Sequence, residues 1–403
     1  MTEAVTALPA FPFRVRTPGE ALDEYAKLRA EAAVTRVRLP GGHEGWLVLR
    51  HAEVRTVLTD PRFSKEAMTR PDAPRLIPVH RGSRSLVNLD PPDHTRLRKL
   101  ASREFTQRRV DTLRPRIEEI TAGLVDAMTG SSQTTADAVT ALALPLPITV
   151  ICELLGVEPA EQAQFRQWGD KVLTVGGPGA DADAAREAAG ALMGYLTGLI
   201  ERKRARPGED LLTRLLQAQE DGDSLDDEEL RTLAMTILIA GYHTTVSAVS
   251  HLLVHLLEDP ARYQSIVDDP GLIGTAVEEA LRYSQVAGGF GSMRIALEDV
   301  ELGGVTIRAG EPVIPLINSA NRDESAFAAA DELRLDRTDN PHLAFGAGIH
   351  FCLGAALARL ELRVLLETLV ARRIPLALGI PVDELSWHLA TAFPRPAELP
   401  IRW

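Results

Sequence analysis

Cys352 stands in a stretch whose residue types and spacing could hold a metal: Phe345-Gly346-Ala347-Gly348-Ile349-His350-Phe351-Cys352-Leu353-Gly354, followed by AALARLELRVLLETL, an amphipathic helical pattern. A cysteine at the mouth of a helix meets free N–H groups and the positive end of the helix dipole, which lower a thiol pKa and favour thiolate. Gly346 and Gly348 let the backbone turn sharply and come close to something bulky. Phe345 and Phe351 can shield a sulfur from water. A thiolate needs that protection to remain an iron ligand, and hydrogen bonds to the sulfur tune the metal. The plainer reading is a buried core cysteine beside a glycine turn. It accounts for the cysteine alone, not for glycines, aromatics, cysteine and helix converging in so short a stretch.

Three distant segments could add to that chemistry. In LIGTAVEEALRYS, Glu279 and Arg282 are three apart, share a helix face and can pair. The pair is either an ordinary surface contact or, on a helix this apolar, a buried one with a registry role. Ala240-Gly241-Tyr242-His243-Thr244-Thr245 lies inside a long helical pattern. A glycine there costs about 1 kcal/mol relative to alanine, and threonines are weak helix formers. A threonine hydroxyl can bond its own i−4 carbonyl and bend the helix. The result is either a groove for dioxygen or a water, or a kink made for packing. His94 and Arg98 follow Asp90-Pro91-Pro92-Asp93, four apart on an expected helix. They can grip an anion together or form part of a solvated basic face.

The elements that must position these residues follow from hydrophobic period and breakers. Residues 20–31 read as a helix. Val34–Leu39 and Trp46–Leu49 flank Pro40-Gly41-Gly42 as strand, turn, strand. From Pro92 to about Ile200 the pattern is mostly helical, broken by prolines and by a Gly176-Gly177-Pro178-Gly179 loop. Ser224-Leu225-Asp226-Asp227 reads as an N-cap with acidic first-turn residues. The helix it opens can run to Glu258, about 34 residues or roughly 50 Å. Residues 271–284 form another helix, 286–317 short strands, and Leu353 to about Ala371 a last helix before C-terminal strands. With no repeat and no proline- or serine-rich linker, residues 1–403 read as one domain, mainly α with a smaller β-rich part.

Composition narrows the task. The chain is 45% hydrophobic and carries a net charge of −12. An acidic balance argues against nucleic acid and against anionic lipid as partners. MTEAVTALPAFPFRVRTPGE shows no basic segment leading into an apolar one, so no signal peptide is expected. The apolar stretch Ala141–Val157 contains Pro145, Pro147 and Glu153 and is too interrupted for a membrane span. With only Cys152 and Cys352, no disulfide framework is expected, and the cytoplasm is the default compartment.

The cysteine loop matches Phe-Gly-x-Gly-x-His-x-Cys-x-Gly, the haem-ligand loop of the cytochromes P450, at every specified position. On that resemblance the chain is similar to a soluble bacterial cytochrome P450. Cys352 is then the axial thiolate of haem b, whose electron donation favours O–O cleavage. Phe345, Gly346, His350 and Gly354 belong to the same loop. Glu279 and Arg282 match the family's Glu-x-x-Arg brace. The resemblance makes His94, Arg98, Arg294 and His350 partners of the haem propionates. Gly241 and Thr244 match the oxygen-activation motif, Ala/Gly-Gly-x-acid-Thr-Thr, with one departure: His243 stands where the acid is usual. His243 relays protons in place of that acid, hydrogen-bonds a polar substrate group, or packs.

The matches run in the family's order from position 90 to 354 and imply its triangular, mainly α fold with a small β-rich region. They imply oxidation of a small-molecule substrate with O2 and electrons from a separate ferredoxin and ferredoxin reductase, without a membrane. Insertion of oxygen into a natural product is the leading expectation. Oxidative coupling without insertion and simple ligand binding are the alternatives, and an intact Thr244 speaks against binding alone. Family topology puts substrate contacts at Leu86, Val87, Met235, Ile239, His243, Gly289, Phe290, Ala392 and Phe393, with plain core packing as the alternative at each. It also puts Arg103, Arg108, Arg109, Arg359 and Arg363 on the face where an acidic ferredoxin would be steered.

Overall fold

The structure is a computed structural model that describes residues 8–13, 15, 17–74, 84–130, 132–173, 182–220, 223–284, 286, 292–389 and 393–403. The expected 176–179 loop and the expected substrate contacts Gly289, Phe290 and Ala392 lie outside the described residues. The described chain is mainly helical with small sheets and groups into two compact units.

The first unit draws on Met1–Gly82, Ala287–Asp331 and Pro341–Phe351. Its five-stranded sheet runs Val34–Arg38, Glu44–Val48, Pro312–Pro315, Arg294–Ala296, Phe63–Ser64. The expected hairpin is present: Val34 faces Val48 and Arg36 faces Trp46, antiparallel, across a turn with Gly41 and Gly42 at φ 78° and 83°. Successive strand residues point to opposite faces. Trp46, Val48 and Val313 therefore pack with Val54, Val57 and Leu58 of the helix His51–Thr59. Leu47, Val37 and Ile314 pack with Ala21 and Tyr25 of the helix Pro18–Glu31. Covered on both faces, the sheet is a rigid support for whatever its strand ends and loops carry.

The second unit draws on Ser83–Val286, Glu332–Asn340 and Cys352–Trp403. Its axis is the helix Asp227–Leu257. Asp226 caps it, accepting from Glu229 N at 2.8 Å while the Glu229 side chain accepts from Asp226 N at 3.1 Å. Ser224 lies instead in the two-residue strand Asp223–Ser224. Among the described residues this is the one helix long and apolar enough to cross a membrane, yet 72% of its apolar window is buried inside the protein, as in a core helix. The helices Pro145–Leu155, Ala182–Ala205, Ile273–Tyr283 and Ala355–Ala371 pack against it. Two helices start later than expected. A 3-10 turn, Pro270–Leu272, precedes Ile273, and Cys352-Leu353-Gly354 form a turn ahead of Ala355, whose N–H donates to the Cys352 carbonyl at 3.4 Å.

Candidate active site

The loop before the cysteine belongs to the first unit. Gly346 and Gly348 both adopt left-handed φ, 72° and 71°. At Gly348 a Cβ would meet the Leu58 carbonyl oxygen at 2.6 Å and Thr59 Cα at 3.1 Å. Its bulky neighbour is therefore the end of the helix His51–Thr59, and only glycine fits there. Phe345 and Phe351 sit with ring centroids 6.3 Å apart, Phe345 half-buried and Phe351 exposed. In the same unit Arg294 is buried in its strand and donates to the Ser292 carbonyl at 2.8 Å, and His350 closes the turn Gly348–His350.

Cys352 opens the cysteine helix of the second unit. Its side chain is accessible to solvent although it lies deep among protein atoms. Burial pushes the thiol pKa up; the Gly354 N–H, Arg98 and Arg359 oppose that and are outweighed. This corrects the expectation from the helix mouth: the protein by itself holds Cys352 as a thiol, because the low-dielectric surroundings outweigh the helix end. A coordinating cation would deprotonate it. Arg98, on the helix Asp93–Ser102, is half-buried, and burial lowers its pKa while Cys352 raises it. Its side chain makes no hydrogen bond or ion pair with the described residues. An accessible thiol in a deep setting and a cation lacking a counter-charge fit a group that offers both a metal and carboxylates, as haem does. His94, one turn earlier, is buried, and burial and Arg98 lower its pKa.

The middle of the long helix is its accessible part. Ala240 is exposed, and Met235, Thr236, Ile239, Gly241 and Thr244 are half-exposed, in a helix otherwise largely buried. The Thr244 hydroxyl donates to the Ala240 carbonyl, and that of Thr245 donates to the Gly241 carbonyl at 2.8 Å, the expected i−4 bonds. Gly241 has a packing reason as well: a Cβ would stand 3.1 Å from Ile151 Cδ1 on the helix Pro145–Leu155. His243 turns toward the helix Gln162–Leu173. Its Nε2 lies 3.3 Å from the Gly169 carbonyl, to which it donates, and 3.8 Å from Asp170 Oδ1. Burial pushes its pKa down to about 4, against the pull of Asp170, so the ring is neutral. Of the other expected substrate contacts, Leu86 is buried, Val87 is exposed and Phe393 is half-buried.

The Glu279–Arg282 pair is buried, with neither side chain exposed. Arg282 Nε and Nη2 reach the carboxylate at 2.7 and 2.8 Å. Arg337 Nε adds bonds of 3.1 and 3.0 Å, Arg334 N one of 2.9 Å and Asn340 Nδ2 one of 3.2 Å. Burial alone would raise the Glu279 pKa; the bonds from Arg282, Arg334 and Arg337 hold it below the ordinary value.

Sequence reasoning missed Arg337 and Asn340, which nothing near Glu279 announces. It also missed Gly169 and Asp170 beside His243. One signal was visible and unused: His243, Ser247, His251 and His255 recur every fourth residue along an apolar helix.

Comparison with known proteins agrees with this geometry. The family model "Cytochrome P450" matches residues 176–269 and 272–372. The chain is 45% identical over 380 residues to the nocardicin C N-oxygenase of Nocardia uniformis subsp. tsuyamanensis, covering 94% of both chains. It is 43% identical over 396 residues to the mycinamicin IV hydroxylase/epoxidase of Micromonospora griseorubida, covering 98% of both. The crystal structure of the LnmA cytochrome P450 hydroxylase, from the leinamycin biosynthetic pathway of Streptomyces atroolivaceus S-140, superposes with a TM-score of 0.91 at 40% identity. That match covers 98% of this chain and 100% of the other. Fold and relatives define a bacterial haem-thiolate oxygenase. The chain belongs to the cytochrome P450 family; its cofactor is haem b, and it is an O2-dependent monooxygenase.

Proposed function

We propose that the Cys352 sulfur would bind the haem iron, that His94, Arg98, Arg294 and His350 would hold its propionates, and that dioxygen and substrate would meet beside the accessible Ala240–Thr244 stretch. The whole chain acts as one catalytic domain in the cytoplasm. The observation that carries this reading is the accessible thiol of Cys352 with Arg98 as its nearby unspent cation. Thiolate-bound haem supplies oxygen activation. One oxygen atom goes to the substrate and the other to water, with two electrons and two protons consumed. Gly354 N–H steadies the sulfur. Thr244, whose own proton is given to Ala240, keeps an oxygen lone pair to accept a hydrogen bond. Neutral His243, tied to Gly169, braces the helix rather than carrying protons.

The substrate is a small, largely apolar natural product of secondary metabolism. Met235, Ile239, Leu86 and Phe393 supply an apolar lining, and the relatives' named substrates and pathway support the class. Electrons come from a ferredoxin and its reductase. Arg108 and Arg109 lie on a helix packed against the cysteine helix, on which Arg359 and Arg363 share Glu278 at 2.8 and 3.4 Å. Docking then leans on Arg108, because Arg109 is itself paired with Glu104 at 3.5 Å. Turnover under labelled dioxygen tests the reading: label in the product is expected, and substrate consumed without label would replace insertion by oxidative coupling.

A further inference from the structure

On the long helix, polar side chains stand at every fourth position from His243: Ser247, His251 and His255 follow. That spacing keeps them on one face. In a helix buried on most sides, they must be satisfied by whatever packs there. His243 meets Gly169. Ser247 Oγ donates to the Pro394 carbonyl at 2.6 Å, and His251 Nε2 donates to the same oxygen at 3.0 Å. The Ser247 and His251 side chains are 0% and 2% exposed, so little solvent competes for that carbonyl. Burial pushes the His251 pKa down to about 4, and a neutral ring facing a carbonyl must carry its proton on Nε2. His251 also lies against the Trp387 ring at 5.3 Å.

Trp387 and Arg395 belong to the two arms of one hairpin, with Trp387 facing Pro396 and His388 facing Arg395. His251 thus touches one arm through Trp387 and, with Ser247, fixes Pro394, the residue just before the other arm begins at Arg395. Phe393 immediately precedes that residue.

We propose that Ser247 and His251 are positioning residues for the substrate: by holding Pro394 they set where Phe393 stands relative to Thr244, and so which part of the substrate is presented for oxidation. The proposal rests on the reading above, in which Phe393 and Thr244 both face the substrate. Thr244, Ser247 and His251 lie within two turns of one continuous helix, so the coupling between them is short and stiff.

The test uses the haem-loaded protein, titrated by Soret shift with two probes. Imidazole needs only the iron, whereas 4-phenylimidazole also needs the space around it. Ser247→Ala and His251→Phe should weaken 4-phenylimidazole about five- to tenfold and leave imidazole within about twofold. His251→Gln, whose amide can still donate to Pro394, should recover most of the loss. Phe393→Ala separates the inference from its premise. If Phe393→Ala changes 4-phenylimidazole binding and the Ser247 and His251 variants do not, the inference is overturned while the site reading stands. If Phe393→Ala changes nothing, the reading of Phe393 falls and the inference with it. A parallel loss of both probes in every Ser247 and His251 variant would mean a merely structural role and would also overturn it.

Discussion

The helices Ile273–Tyr283 and Ala355–Ala371 pack on each other, and the first of them and the turn that leads into the second treat an ionisable group set deep among protein atoms in opposite ways. Around Glu279 donors from Arg282, Arg334, Arg337 and Asn340 fill both carboxylate oxygens, and the charge is kept. At Cys352 a single backbone N–H and two arginines oppose burial and lose, so the thiol stays protonated while Arg98 goes without a counter-charge. The brace is complete in itself. The haem proposed for the cysteine end would bring positive charge to the sulfur and negative charge to Arg98. Glu361, on the cysteine helix, is a third case: it is buried, its Oε2 has no hydrogen-bond partner among the described residues, and burial pushes its pKa up to about 8.

Breaking the brace should have the largest effect. Glu279→Gln leaves Arg282 and Arg337 buried without a counter-charge and should cost about 3–5 kcal/mol in urea unfolding of the haem-loaded protein. A loss below about 1 kcal/mol would mean the cluster is not the closed brace described. Because the Glu279 pKa is depressed on folding, its contribution is present at neutral pH and should be lost as pH falls through the depressed value. Glu361 should behave in the opposite sense. A carboxyl whose pKa is raised on folding stabilises only while protonated, so stability should fall as pH rises from the ordinary carboxylate range toward 8. Glu361→Gln should flatten that fall by on the order of 2 kcal/mol between pH 5 and pH 8. An unchanged slope would show that Glu361 has a partner when folded.

Smaller effects sharpen the contrast at the cysteine end. Arg98→Leu should speed haem loss about tenfold, the value of one charge-assisted contact, without lowering the stability of the haem-free protein. Equal damage with and without haem would make Arg98 a structural cation instead. The smallest change is expected at His243. His243→Ala should loosen the link to Gly169 yet leave uncoupled peroxide near wild type. Raised peroxide that His243→Glu reverses would show a proton relay.

Much of this was legible because it is local. The loop Phe345–Gly354, the three-residue spacing of Glu279 and Arg282, and the apolar run of the long helix all reside in short windows. The Asp226 cap was visible within a residue or two, since Ser224 and Asp226 are both good capping residues and only tertiary context chooses between them. The thiol pKa was misjudged because a helix end can be read from sequence, whereas depth of burial cannot. Arg337, Asn340, Gly169 and Pro394 were invisible for a related reason. They reach Glu279, His243 and His251 through folds of the chain dozens of residues long, and no pattern in one sequence reports such contacts.

The central claim is that Cys352 binds the haem iron as thiolate. It is tested most directly by the absorption spectrum of the reduced protein under carbon monoxide, wild type against Cys352→Ala. The account predicts the strongly red-shifted Soret band of thiolate ligation in the wild type and its disappearance in the variant. A wild-type spectrum of the histidine-ligated kind, or a thiolate band that survives in Cys352→Ala, would contradict it.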